Sequence, residues 1–279
     1  MSRGAGGQLR GDRAVAAVAG RLSDRDISLL DLVAQHRFLT TRQIQVFLFA
    51  DHASAVSGAA VCRRVLRRLE ALGLVDRVKR RIGGLGAGAD FTVWMLTTAG
   101  ERVRNLRAGR GAVGRVREPG ERFIQHYLAV ADTRLQLMDS VKAGHLQVDD
   151  VLIEPASWRP YQGDGGQKEV LKPDLFAVTT TVERGQADEY EDCWFIEVDR
   201  GTESVPMVIK QCRQYETYRA TGIEQHERGV FPLVVWVVPD QRRQQRVRAA
   251  IDANRALDSD LYRVCTPDSF LDVIRGGAA

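Results

Sequence analysis

Apolar residues after Ser23 recur at helical spacing, with Ile27, Leu30 and Val33 on one side. Ser23 with Asp26 three residues on resembles a capping box that opens this helix. Thr40 with Gln43 opens a second, short helix carrying Ile44, Phe47 and Leu48. Ser57 caps a third, which runs to about Leu72 and stops at Gly73. Val61, Val65, Leu69 and Leu72 fall within one narrow arc of it. Two stretches rich in β-formers, 74–81 and 91–97, then flank the glycine-rich 83–88, which predicts a hairpin with a long tip. A further helix begins near Thr98. Residues 1–20 show no periodicity and read as a flexible tail.

The pattern changes after residues 108–120, a Gly/Arg-rich linker. A long helix over Glu121–Lys142 follows it. Apolar runs at 148–153, 174–179, 193–198, 233–238 and 262–265 predict strands, and helical stretches at 206–220 and 241–255 separate the later ones. Such an order predicts a mixed sheet flanked by helices. The span 157–171 reads as a long loop. The expected organisation is a tail at 1–20, a helical and hairpin domain at 21–107, a linker at 108–120 and an α/β domain at 121–279, an α+β chain overall.

Composition is ordinary for a folded protein: 279 residues, 44% hydrophobic and 27% charged, which excludes wholesale disorder. The formal net charge of +4 hides a split. Residues 1–117 hold 21 Lys+Arg against 9 Asp+Glu, whereas 118–279 hold 19 against 27. A basic half of this kind suits a polyanion. No apolar stretch has the length of a membrane span, and the N-terminal arginines followed by a short Ala-rich run do not make a secretory signal. Cys62, Cys193, Cys212 and Cys265 lack the spacing of a zinc site or a disulfide framework, so a reduced cytoplasm is the expected location.

Three helices and a hairpin make a winged helix, and its third helix carries an arginine face. Arg63 and Arg67, one turn apart, lie opposite the apolar arc with Arg64 beside them. Arginines on that helix suit insertion into a DNA major groove, where they contact phosphates or pair with guanine. Arg68 sits at the edge of the apolar stripe, as a side chain covering the core would. The hairpin adds Arg77, Lys79, Arg80 and Arg81, the composition of a wing lying along a phosphate backbone.

Carboxylates are the chemistry of the acidic half. Pro173-Asp174 leads into one apolar run, and Glu197 and Asp199 close the run 193–199. Strand alternation puts Glu197 and Asp199 on one face. If the strand of Asp174 is a neighbour, three carboxylates converge, and their repulsion is relieved by a divalent metal or by basic partners such as Arg200, Lys172 or Lys210. Lys210, Gln214 and Tyr218 follow one another on a single side of the next helix.

A long helix, strands bearing Pro-Asp and Glu-x-Asp, then a helix and further strands resemble the PD-(D/E)XK nuclease-like fold. The chain from about 21 to 275 resembles the replication-relaxation family of bacterial plasmid and mobile-element proteins, which join a winged helix to such a domain. By that resemblance Asp174 and Glu197 bind Mg²⁺ or Mn²⁺, with Asp199 beside them. The motif's lysine falls on Asp199, a departure for which Lys210 is the best substitute and Lys172 a weaker one, while Glu121 corresponds to an additional acid that some members carry. The resemblance implies a protein, expected as a homodimer, that binds double-stranded DNA in replication, transfer or their regulation. Its second domain is then either an endonuclease using Asp174, Glu197 and Lys210 or a catalytically silent relative. A protein-interaction module without nucleic acid is the remaining class.

Overall fold

The computed structural model describes residues 11–52, 54–79, 82–83, 88–110, 118–144, 146–163, 165–181 and 191–276. The chain divides into two compact units, Met1–Leu135 and Gln136–Ala279.

The first unit contains α1 (Asp12–Ala19), α2 (Asp24–His36), β1 (Leu39–Thr40), α3 (Thr41–Leu48), α4 (Ala55–Ala71), β2 (Val75–Arg77), β3 (Val93–Leu96) and α5 (Thr98–Arg107). It also takes the first part of α6 (Glu121–Lys142). Both expected capping boxes form: Ser23 Oγ accepts from Asp26 N, and Thr40 Oγ1 accepts from Gln43 N. The third helix starts earlier than expected. Its cap is Ser54, and Ser57 is the residue that closes the box by accepting from Ser54 N at 3.1 Å. Two serines three apart satisfy the same orphan amides, so spacing alone does not say which one opens the helix. Gly73 ends α4 in the left-handed region, φ +70°, and Leu74 N returns to Leu69 O at 2.9 Å.

The expected tail holds a helix. Val15 and Ala19 of α1 are buried in the same core as Leu29, Leu30, Leu66, Leu69 and Val103. Alanine-rich turns have little hydrophobic contrast, which hides their periodicity. The three strands form one antiparallel sheet, ordered β1-β3-β2. Residues 84–87 of the expected hairpin tip and 111–117 of the expected linker lie outside the described residues. At Gly100 a Cβ would stand 2.1 Å from Leu74 O, so only glycine lets α5 sit this close to the chain entering β2.

The second unit contains the remainder of α6, then β4 (Leu146–Ile153), β5 (Arg159–Gln162), β6 (Lys168–Leu171), β7 (Leu175–Thr181) and β8 (Glu191–Val198). After these come α7 (Val205–Ala220), α8 (Ile223–Arg228), β9 (Leu233–Val237), α9 (Gln241–Asp252), β10 (Tyr262–Cys265) and α10 (Phe270–Arg275). Its main sheet is mixed, in the order β10-β9-β8-β7-β4. β7 is antiparallel to both of its neighbours, β4 and β8, and β8, β9 and β10 run parallel. Phe176, Phe195, Val234 and Trp236 from the sheet pack with Val208, Cys212, Tyr215 and Val247 from the helices.

The expected loop at 157–171 is in fact the hairpin β5–β6. Only Tyr161 and Leu171 of its strands are buried, so it carries too few apolar positions to show a period of two. Among the described residues no helix is long and apolar enough to cross a membrane.

Candidate nucleic-acid interface and carboxylate site

On α4, Cys62, Val65, Leu66 and Leu69 face the core and leave the opposite arc to Ala60, Arg64 and Arg67. Val56, 78% exposed, extends that arc toward the helix start. Arg67 Nε donates to the Arg63 carbonyl at 3.2 Å, which lays its side chain along the helix. Arg63 Nη1 lies 3.4 Å from Asp90 Oδ1 at the surface. A pair of this kind contributes only about 0.2–1 kcal/mol, so a phosphate can displace it. Arg64 lines a cleft of about 560 Å³ with Arg25, Arg68, Ser23 and Asp24.

The other expected DNA contacts differ in their freedom. Arg77 is engaged at home: Nη2 donates to Glu70 Oε2 at 2.7 Å, and the guanidinium lies 5.1 Å from the Trp94 ring centroid. Lys79 is exposed, and Arg80 and Arg81 lie outside the described residues. Arg68 does more than cover the core, because it pairs with the buried Asp26 of the α2 capping box.

In the second unit the carboxylates meet through sheet register. Leu175 of β7 faces Ile196 of β8, and Ile153 of β4 faces Leu175. One step further, the same register aligns Glu154, Asp174 and Glu197 across the ends of three adjacent strands. Glu154 N donates to Asp174 O at 3.3 Å, and Val198 N donates to Asp174 Oδ2 at 2.7 Å. Glu197 is buried, and its Oε1 accepts from Tyr215 Oη of α7 at 2.6 Å. Its pKa is pushed well above the ordinary carboxylate range, first by burial and then by the charge of Asp174, with smaller contributions from Glu203 and Glu154. The Tyr215 hydrogen bond opposes that shift without reversing it.

Asp199 does not join this row. Asp199 lies just past the end of β8, where its backbone N still donates to Val237 O at 2.9 Å while its carboxylate is taken up by other partners. Asp199 Oδ2 accepts from Arg243 Nε at 2.7 Å, and Asp199 Oδ1 accepts from Gly201 N at 2.8 Å. Arg243 also donates to the Glu203 carbonyl at 2.9 Å, and both members of the ion pair are buried. Lys210 is exposed on α7, and among the described residues no hydrogen bond or ion pair joins it to Asp174 or Glu197. The helix turns Tyr215 toward the acids instead. Lys210 and Gln214 stay exposed, while Tyr218 is buried with its hydroxyl on Glu224 Oε1 at 2.9 Å. Lys172 lies 4.8 Å from the Trp158 ring. Glu121 belongs to the first unit, where it accepts from Gly83 N at 2.7 Å. Among the described residues no group of three or more His, Cys, Asp or Glu is arranged to hold a metal ion.

Two residues of the carboxylate site escape a reading of the sequence. Glu154 stands just beyond an apolar run and before Pro155, a position that becomes meaningful only once the register is known. Arg243 is one of four arginines in α9, and no local signal separates it from the rest.

No curated protein and no solved structure matches the chain. The family model described as replication-relaxation matches residues 30–234, which covers α4, the hairpin and the whole row Glu154, Asp174 and Glu197. Spanning well over half of the sequence, that match carries the conclusion that the chain belongs to the replication-relaxation family.

Proposed function

We propose that this chain is a DNA-binding protein of a plasmid or mobile element, acting in replication, transfer or their regulation. Its first unit is a winged helix, with α4 in the major groove and the β2–β3 hairpin as the wing. The observation that carries this reading is the outward arc of α4, where Arg64 and Arg67 stand with Arg63 at the edge and a surface ion pair is the only acid contact among the described residues. The β1-β3-β2 sheet behind α4 supports it. The test is binding to duplex DNA at several salt concentrations, with an Arg63→Ala/Arg67→Ala variant beside the wild type. Loss of both phosphate contacts lowers the slope of log K against log salt by about 2, at about 0.9 per contact. An unchanged affinity, or a wild type without salt dependence, overturns the reading.

The second unit is a PD-(D/E)XK nuclease-like domain that is catalytically silent. In support, α6, β4, β7, β8, α7 and β9 follow one another in the order of that fold, with β5 and β6 inserted as a hairpin. The residues present do not fit the metal centre that the resemblance implies. Asp199 has both oxygens engaged, Glu197 is buried with Oε1 taken by Tyr215, Lys210 is exposed, and Lys172 lies over the Trp158 ring. DNA incubated with the wild type and Mg²⁺ or Mn²⁺ is expected to stay intact. Nicking that disappears in Glu197→Ala while DNA binding persists would make the protein an endonuclease.

A further inference from the structure

The second unit is acidic as a whole, since residues 136–279 hold 17 Lys+Arg against 24 Asp+Glu. α9 runs furthest against that balance. α9, Gln-Arg-Arg-Gln-Gln-Arg-Val-Arg-Ala-Ala-Ile-Asp, has four arginines and a single acid. Two of the four are used internally: Arg243 holds Asp199, and Arg248 pairs with Asp252 and donates to the Tyr262 carbonyl at 2.9 Å. Val247 and Ile251 fix which side is inward. Arg242 and Arg246 are therefore exposed, one turn apart, with Gln241, Gln245 and Ala249 beside them. Among the described residues neither Arg242 nor Arg246 makes a hydrogen bond or an ion pair, although acids outnumber bases in the unit.

We infer that this face of α9 is a second nucleic-acid contact, which grips the phosphodiester backbone where the parallel strands end. Three observations point to phosphate. Side chains at i and i+4 have Cβ atoms about 5–6 Å apart. Guanidiniums at that spacing reach successive phosphates of one strand, and guanidinium is the side chain best matched to phosphate oxygens. The flanking glutamines offer further donors, while Ala249 keeps the surface low. The position matters as well. α9 leaves the C-terminal end of β9 through Pro239 and its cap Asp240, and its Arg243 is bonded to Asp199 just past the end of β8. Open α/β sheets bind ligands outside the carboxyl ends of their strands. A strand held on Arg242 and Arg246 thus runs past the Asp199–Arg243 pair. The contact reads backbone and not bases, so it is expected to be indifferent to sequence.

The test uses the full chain, a duplex of mixed sequence and a single strand of the same sequence. Arg242→Ala/Arg246→Ala is expected to weaken binding and to lower the salt slope by about 2 on the duplex, at about 0.9 per phosphate contact. Arg242→Lys/Arg246→Lys is expected to restore most of the loss, since a phosphate contact needs the charge. Arg213→Ala/Arg275→Ala removes the same charge from exposed positions elsewhere and is expected to leave the slope unchanged. Wild-type binding by the α9 alanine variant, or an equal loss in the Arg213/Arg275 control, overturns the inference. The inference also separates from the winged-helix reading. If the Arg63/Arg67 variant binds normally and the α9 variant does not, the first reading fails and this one stands. Wild type that binds neither probe overturns both.

Discussion

The arginines of α4 and the carboxylates at the strand ends are both charge clusters, yet they have opposite fates. Arg63, Arg64 and Arg67 point outward, and their one ion pair among the described residues is at the surface. Asp174, Glu197 and Asp199 point inward, and each is held by the protein itself: by Val198 N, by Tyr215 and by Arg243. An outward charge waits for a ligand, and an inward one has already been satisfied by the fold. Charge density along the chain therefore says little about availability, which depends on the partner each group finds.

The harshest test of that contrast is Arg243→Ala. It leaves Asp199 buried and unpaired, and is expected to cost about 3–5 kcal/mol of stability. Arg64→Ala, at an exposed position, is expected to stay within about 0.5 kcal/mol. Urea denaturation of the two variants checks both values, and equal losses would break the contrast.

Glu197→Gln sharpens it through pH. A raised pKa means the folded chain holds the proton more tightly than the unfolded one does. That stability is fully present below the ordinary carboxylate value of 4.5 and declines as pH rises toward the raised one. Glutamine keeps the oxygen that accepts from Tyr215 and has no charge to bury. The variant is expected to gain roughly 1–3 kcal/mol over wild type at pH 8 and about nothing at pH 4. Thermal melts at the two pH values measure the difference, and a variant that is destabilised at both would show that Glu197 is held ionised.

The smallest effect concerns how α4 is presented. Ser54→Ala removes the acceptor for Ser57 N and is expected to cost about 1 kcal/mol. Melts of this variant, paired with its DNA affinity, show whether fraying at the start of the helix reaches Arg63 and Arg67. An affinity loss larger than that of the arginine variant would move the interface toward Val56.

Much of the framework was legible in the residues. Runs such as Leu-Val-Val-Trp-Val and Cys-Trp-Phe-Ile are continuous and apolar because strands inside a sheet are covered on both faces. The capping boxes at Ser23 and Thr40 are chemically explicit. The β5–β6 hairpin was not legible, because Arg-Pro-Tyr-Gln and Lys-Glu-Val-Leu bury one residue each. The carboxylate row was half legible. Asp174 and Glu197 announce themselves beside apolar runs, whereas Glu154 depends on register and Arg243 on where α9 packs. Asp199 is legible as a strand-end acid, but its engagement by Arg243 is not.

The boundary between the two compact units falls inside α6 and not in the segment 108–120. Ile124 and Leu128 on that helix are buried with Phe38, Ile82 and Val93. Gln43 Nε2 donates to the Leu128 carbonyl at 2.9 Å and to Asp132 Oδ1 at 2.7 Å. Anyone dissecting the protein at its glycine-rich segment would strip the first unit of one wall. A fragment ending at residue 107 would expose the apolar face under that wall to water, whereas one carried through residue 135 retains the wall and is the sensible starting point for isolating the first unit.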